Sequence, residues 1–135
     1  MLGSSPFYAN IPVSDIARAR AFYEGVLGLH PWRIDDRIHE VIYEAGMTRF
    51  AVYQSAGAGK SEHTIGTFVI EDLDAVVASL RSKGVNLVDY DLPGLKTEDG
   101  VATFGFDRVA WFRDPDENLI NLTQEGPGGR TSADA

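Results

Sequence analysis

Apolar and polar positions alternate from Phe7 to Val13. Ala9, Ile11 and Val13 share one side and Tyr8, Asn10 and Pro12 the other, the period of a half-buried strand. Pro12 cannot donate to a ladder, so this strand belongs at an edge or ends there. Ser14 or Asp15 then offers a helix N-cap. The spacing changes to that of a helix through Ile16, Ala19, Phe22, Tyr23, Val26 and Leu27, a stripe of about three turns closed by Gly28. Three short strands follow at 30–34, 38–44 and 48–54, separated by the turn residues Asp35-Asp36 and Ala45-Gly46. The small, polar run 55–62 reads as a linker.

After the linker the pattern starts again. Residues 64–70 read as a strand, Asp72 takes the place of Asp15, and Leu73, Val76, Val77 and Leu80 form a stripe closed by Gly84. Asp72 lies 57 residues after Asp15. The last strand of the first unit, Thr48 to Gln54, matches Asn118 to Gln124 at an offset of 70, so the second unit is 13 residues longer. The extra length falls between Asp89 and Asp107. The chain is therefore expected to be α+β, with two tandem βαβββ units at about 6–55 and 63–125, in one domain spanning 1–125. Residues 126–135, rich in Gly and small polar side chains, are expected to form a disordered tail.

Composition removes whole classes of function. The 135 residues carry 12 basic and 20 acidic side chains, a net charge of −8, and no cysteine. Disulfides, thiolate metal sites and cysteine nucleophiles are excluded. Scattered basic residues in an acidic chain disfavour nucleic acid and favour a small, cationic or aromatic ligand. No stretch approaches the roughly 18 apolar residues of a membrane span. The first residues show no signal-peptide pattern, so a cytoplasmic location is expected. Serines near acid or His, such as Ser61-Glu62-His63, give no nucleophile-and-base arrangement. The acidic pairs Asp35-Asp36, Glu71-Asp72 and Asp114/Asp116 sit in turns or caps, where their oxygens satisfy backbone N–H groups.

Three segments carry a resemblance: Ile11 to Asp15 running into 19–29, with Phe22-Tyr23 and Leu27-Gly28; residues 69–75; and residues 111–121, with the Asp114-Pro115-Asp116 turn. In them the chain resembles the vicinal oxygen chelate superfamily of glyoxalases, bleomycin-resistance proteins and extradiol dioxygenases. The stretch Leu92 to Gly100, with Ala110-Trp111-Phe112, is similar to a bacterial glyoxalase-like subgroup. The resemblance implies a cupped, mixed eight-stranded sheet with helices on its convex side, a ligand in the cup or at a homodimer interface, and in many members a divalent ion. That ion is held by His, Gln or Glu at four positions, which fall here on Tyr8, Ala51, Ile65 and Asn121. None of these is a usual ligand for Zn, Ni, Mn or Fe.

A metal-independent small-molecule-binding protein is therefore the expected function. The resemblance allows two alternatives: a metal-dependent lyase, isomerase or dioxygenase with a displaced site drawn from His63, Glu40 or Tyr8, and an interaction module with a vestigial cup. Strand parity turns Tyr8, Asn10, Arg49, Tyr53 and Asn121 toward the cup, and Trp111 has the same inward parity. Trp32 lies near its rim, and Glu40 shares a strand face with Ile42. These eight are the candidate ligand-binding residues: aromatic rings to stack on a flat ligand, amides and Arg49 to orient it, and Glu40 to pair with a cation or move a proton.

Overall fold

The computed structural model describes residue 1 and residues 3–127, so most of the expected tail lies outside the described residues. The chain forms two compact units. The first comprises residues 1–63 together with 114–118, and the second residues 64–113 together with 119 onward.

In the first unit, β1 (Asn10–Val13) leads into α1 (Ile16–Arg20), which runs on into a π-helical segment (Ala21–Val26). Strands β2 (His30–Asp35), β3 (Glu40–Ala45) and β4 (Thr48–Gln54) complete it. The sheet order is β1-β4-β3-β2, with β1 parallel to β4 and the other pairs antiparallel. The predicted three-turn helix is α-helical only at its start. Beyond Arg20 the turns widen, and the Leu27 N–H reaches back to the Phe22 carbonyl. Gly28 takes the left-handed conformation (φ +73°) that ends the helix.

In the second unit, β5 (Thr64–Val69), α2 (Leu73–Ser82), the short hairpin β6 (Asp91–Leu92) and β7 (Leu95–Lys96), then β8 (Val101–Phe104), β9 (Asp107–Arg113) and β10 (Leu119–Gln124) follow in turn. Its four-stranded sheet has the order β5-β10-β9-β8, again with the first and last strands parallel. The two units thus share one strand order, that of a βαβββ repeat, and the fold is α+β. The 13 additional residues are spent on the β6–β7 hairpin and its flanks.

The repeat reaches individual hydrogen bonds. Asp15 accepts from the Arg18 N–H and Asp72 from the Ala75 N–H, both at 3.1 Å. Gln54 Oε1 takes the Ile16 N–H, and Gln124 Oε1 takes the Leu73 N–H. In each unit the last strand therefore caps the helix beside the Asp, satisfying a second of the four orphan donors at its start.

The side chains follow the period-2 pattern. Ile11, Val13, Val41, Tyr43, Phe50 and Val52 form one buried face of the first sheet, and Tyr23 packs on Tyr43 and Phe50. Each such large apolar side chain contributes about 1.5–3 kcal/mol on burial. In the second unit Leu73, Val77 and Leu80 are the buried stripe of α2, which packs against β9 and β10. Two strand starts differ clearly from expectation, the first being β1, which was expected from Phe7 and begins at Asn10. His39, read as part of a strand, has φ +52° and belongs to the turn before β3, so β3 begins at Glu40.

Candidate functional site

The opposite face of the first sheet carries several of the candidate residues. Cross-strand pairing sets Glu40 against Tyr53, Ile42 against Ala51 and Glu44 against Arg49, while Asn10 pairs with Ala51. Directly opposed residues share a face, so Asn10, Glu40, Arg49 and Tyr53 are brought together, as parity predicts.

At one end of this face a pocket of about 670 Å3 opens, lined in part by Tyr8, Trp32, Arg33, Ile42, Glu44 and Arg49. Trp32 arrives there through an irregularity. Pro31 pairs with Tyr43 and Arg33 with Ile42, leaving Trp32 as the extra residue of a bulge in β2. A bulge re-aims side chains and often adjoins a site, and a proline inside a strand is one sequence sign of it. Trp32 is 44% exposed and Tyr8 41%, so neither residue is sealed in the core.

The Arg49 guanidinium lies over the Trp32 ring, its carbon 3.8 Å from the ring centroid, and Arg33 stands at 5.6 Å. Arg33 also reaches Glu40 at 3.8 Å, a long and solvent-screened pairing. Arg33 and Glu44 escaped the sequence reading. Their signals were the Pro31 bulge, which shifts the parity of β2, and the Glu40-Ile42-Glu44 alternation in β3.

Trp111 and Asn121 lie in the second unit, directly opposed on β9 and β10. Trp111 is only 9% exposed and belongs to a buried cluster with Ala102, Val109 and Leu119, against which Val88, Tyr90 and Leu95 pack. Tyr90 meets its ring edge-on at 5.0 Å, and its indole N–H donates to Thr64 Oγ1 at 3.1 Å. The residues that cover it come largely from the insertion, which has no regular pattern to betray its packing. Asn121 donates to the Ala110 carbonyl and accepts from the Thr123 hydroxyl. Both side chains are therefore engaged in the core of their unit.

The four positions that the resemblance assigns to a metal do not fit one. Ala51 and Ile65 offer only hydrocarbon, and the Asn121 amide is committed to its neighbours. The displaced alternative finds no more support: Glu40 faces Arg33, and the His63 ring lies 3.2 Å from the Ser61 hydroxyl. Among the described residues no three His, Cys, Asp or Glu side chains converge on one point.

The Asp114–Asn118 turn is more than a turn. Asp114 accepts from the Asp116 and Asn118 N–H groups, the Asn118 amide and the Tyr23 hydroxyl, the last at 2.8 Å. Burial first, then the charge of Asp114, pushes the Tyr23 phenol well above its ordinary pKa, so it remains a donor. Asp116 accepts from the Ser14 N–H and hydroxyl and from Arg18. Asn118 also donates to the Pro12 carbonyl. The sequence showed the local capping half of this arrangement and not the long-range half.

The sequence pattern described as "Glyoxalase/Bleomycin resistance protein/Dioxygenase superfamily" matches residues 6–122. No curated protein sequence matches the chain. Solved structures agree in fold. A glyoxalase family protein from Enterococcus faecalis is 18% identical with a TM-score of 0.69, covering 92% of this chain and 100% of that one. A glyoxalase/bleomycin resistance protein from Catenulispora acidiphila is 22% identical with a TM-score of 0.65, covering 90% and 98%. The fosfomycin resistance protein FosX from Listeria monocytogenes, complexed with Mn(II) and sulfate, is 14% identical with a TM-score of 0.68, covering 92% of each chain.

Proposed function

Because the chain belongs to the Glyoxalase/Bleomycin resistance protein/Dioxygenase superfamily, we propose that it is a metal-independent small-molecule-binding protein whose ligand sits in the pocket beside Trp32. The observation that carries this reading is the 670 Å3 pocket itself, which combines exposed aromatic rings, the apolar Ile42 and a few charged side chains. That is the usual make-up of a site that binds through apolar contact and orients through a few polar groups. The donor set supports independence from metal, since hydrocarbon stands at two of the four family positions. The Mn(II) of FosX belongs to that protein.

The protein works in the cytoplasm as a homodimer in this proposal. Phe7, Ile34, Ile38 and Met47 are exposed apolar residues of the first unit that favour self-association. Among the described residues no helix is long and apolar enough to cross a membrane.

The test is a thermal-shift screen of small aromatic compounds on protein prepared with and without chelator. The proposal expects hits that raise the melting temperature equally in both preparations and vanish in Trp32→Ala. Stoichiometric Zn, Ni, Mn or Fe after purification without chelator, with binding lost on its removal, would overturn it.

A further inference from the structure

Resting on the binding reading above, we infer that the ligand of this pocket is a small aromatic anion, its ring held against Trp32 and Tyr8 and its carboxylate by Arg49. The net charge of −8 suggests the opposite sign, but the charges that line the pocket are Arg33, Arg49 and Glu44, two cations against one anion. Arg33 is already shared with Glu40 at 3.8 Å. Arg49 is not shared. Glu44 lies directly across the ladder from it, yet no ion pair joins them, and among the described residues Arg49 has no hydrogen-bond or ion-pair partner.

What Arg49 does have is the Trp32 ring, 3.8 Å away. A guanidinium laid on an aromatic face keeps the donors on its rim, where a planar carboxylate can take two parallel N–H bonds. The stacking fixes the long side chain beforehand, so less conformational freedom is lost on binding. Lysine would give neither the fork nor the flat contact. The negative field of the whole chain slows the approach of an anion, but beyond about 10 Å it is screened at ordinary ionic strength, while the contact in the pocket is not. A cationic ligand would have to displace or neutralise two guanidiniums to use the same aromatic surface.

The test measures binding of three isosteric probes by calorimetry and Trp fluorescence: 2-naphthoate, neutral 2-naphthamide and 2-naphthylmethylammonium. Naphthoate is expected to bind at least about tenfold tighter than the amide, consistent with a charge-assisted bidentate contact, and the ammonium weakest. Arg49→Gln should bring naphthoate down to about the affinity of the amide, a far larger loss than the amide itself shows, because only the carboxylate loses a charge-assisted bidentate contact. If the amide or the ammonium binds as well as naphthoate, or if Arg49→Gln weakens all three equally, the charge assignment falls and the binding pocket stands. If none of the three binds, both fall.

Discussion

Removing one oxygen atom from Tyr23 tests how the first unit is held together. Tyr23→Phe keeps a fully buried ring in place between Tyr43, at 5.9 Å, and Phe50, at 6.1 Å, and deletes only the hydroxyl that donates to Asp114. A hydrogen bond to a charged group contributes about 1.5–3 kcal/mol. The same carboxylate oxygen keeps its bond from the Asn118 amide at 2.9 Å, so it is not orphaned, and the cost belongs near the lower end, about 2 kcal/mol. Asp114→Asn should cost more, about 3 kcal/mol or above, because its amide must point N–H groups at existing donors while losing the charge. Urea denaturation followed by far-ultraviolet circular dichroism gives each value, and the double variant gives their coupling. A coupling of about 1–2 kcal/mol is expected for residues in direct contact. A Tyr23→Phe loss below about 0.5 kcal/mol, or strict additivity in the double variant, would refute the view that this bond braces the unit.

Acid should weaken the unit through another carboxylate. Hydrogen bonding from Arg20, and secondarily from Tyr43, holds Glu24 below its ordinary pKa against the opposing cost of burial. A depressed carboxylate contributes stability that is complete above its unfolded pKa and is lost as pH falls through the folded one. Glu24→Gln should therefore flatten the fall in stability below about pH 5, and an unchanged pH profile would contradict the assignment. Gly94 and Gly100 make a paired test, both with φ near +80°. A Cβ at Gly94 meets open space, whereas one at Gly100 would lie 2.6 Å from Leu87 Cβ. Gly94→Ala should cost about 1 kcal/mol of strain and Gly100→Ala several times that by thermal unfolding; equal losses would remove the steric argument. Gln124→Ala and Gln54→Ala should each cost about 1 kcal/mol for the lost helix-start bond, with the partly buried Gln124 the larger; no loss in either, by urea denaturation, would deny the shared cap.

What could be read from the sequence was what is local. Asp15 and Asp72 announce their helices because a cap acts over three residues, and Thr48 to Gln54 announces its strand because burial alternates every second residue. The same alternation is why the candidate residues Asn10, Glu40, Arg49 and Tyr53 fall on one face of the first sheet. Trp32 reaches the pocket through a bulge that breaks the alternation. His39 delays the start of β3 with a left-handed backbone that an expected alternation conceals. Trp111 was legible as inward-facing, but its cover, Tyr90 and Leu95, comes from an irregular insertion, so nothing periodic tied them to it. Arg49 carried its chemistry in its type, while its lack of an acidic partner emerged only with the packing around it.

The placement of residues 114–118 in the first unit has a consequence for how the chain comes to be folded. Tyr23 and Asp114 are 91 residues apart, Ser14 and Asp116 are 102, and Pro12 and Asn118 are 106. Closing contacts over such separations loses chain entropy before it gains any bond, and folds rich in them form slowly. As synthesis proceeds from the N-terminus, the first half of the duplication emerges early with a buried phenol and a strand-end carbonyl that have no partners until nearly the last strand is made. A chain ended after His63 is accordingly expected to lack hydrogen-exchange protection around Tyr23, and protection equal to that of the full chain would show the half to be self-sufficient. On that expectation the doubling of the βαβββ pattern does not give two independent folding units, because residues 114–118 of the first unit lie far along the second half of the chain.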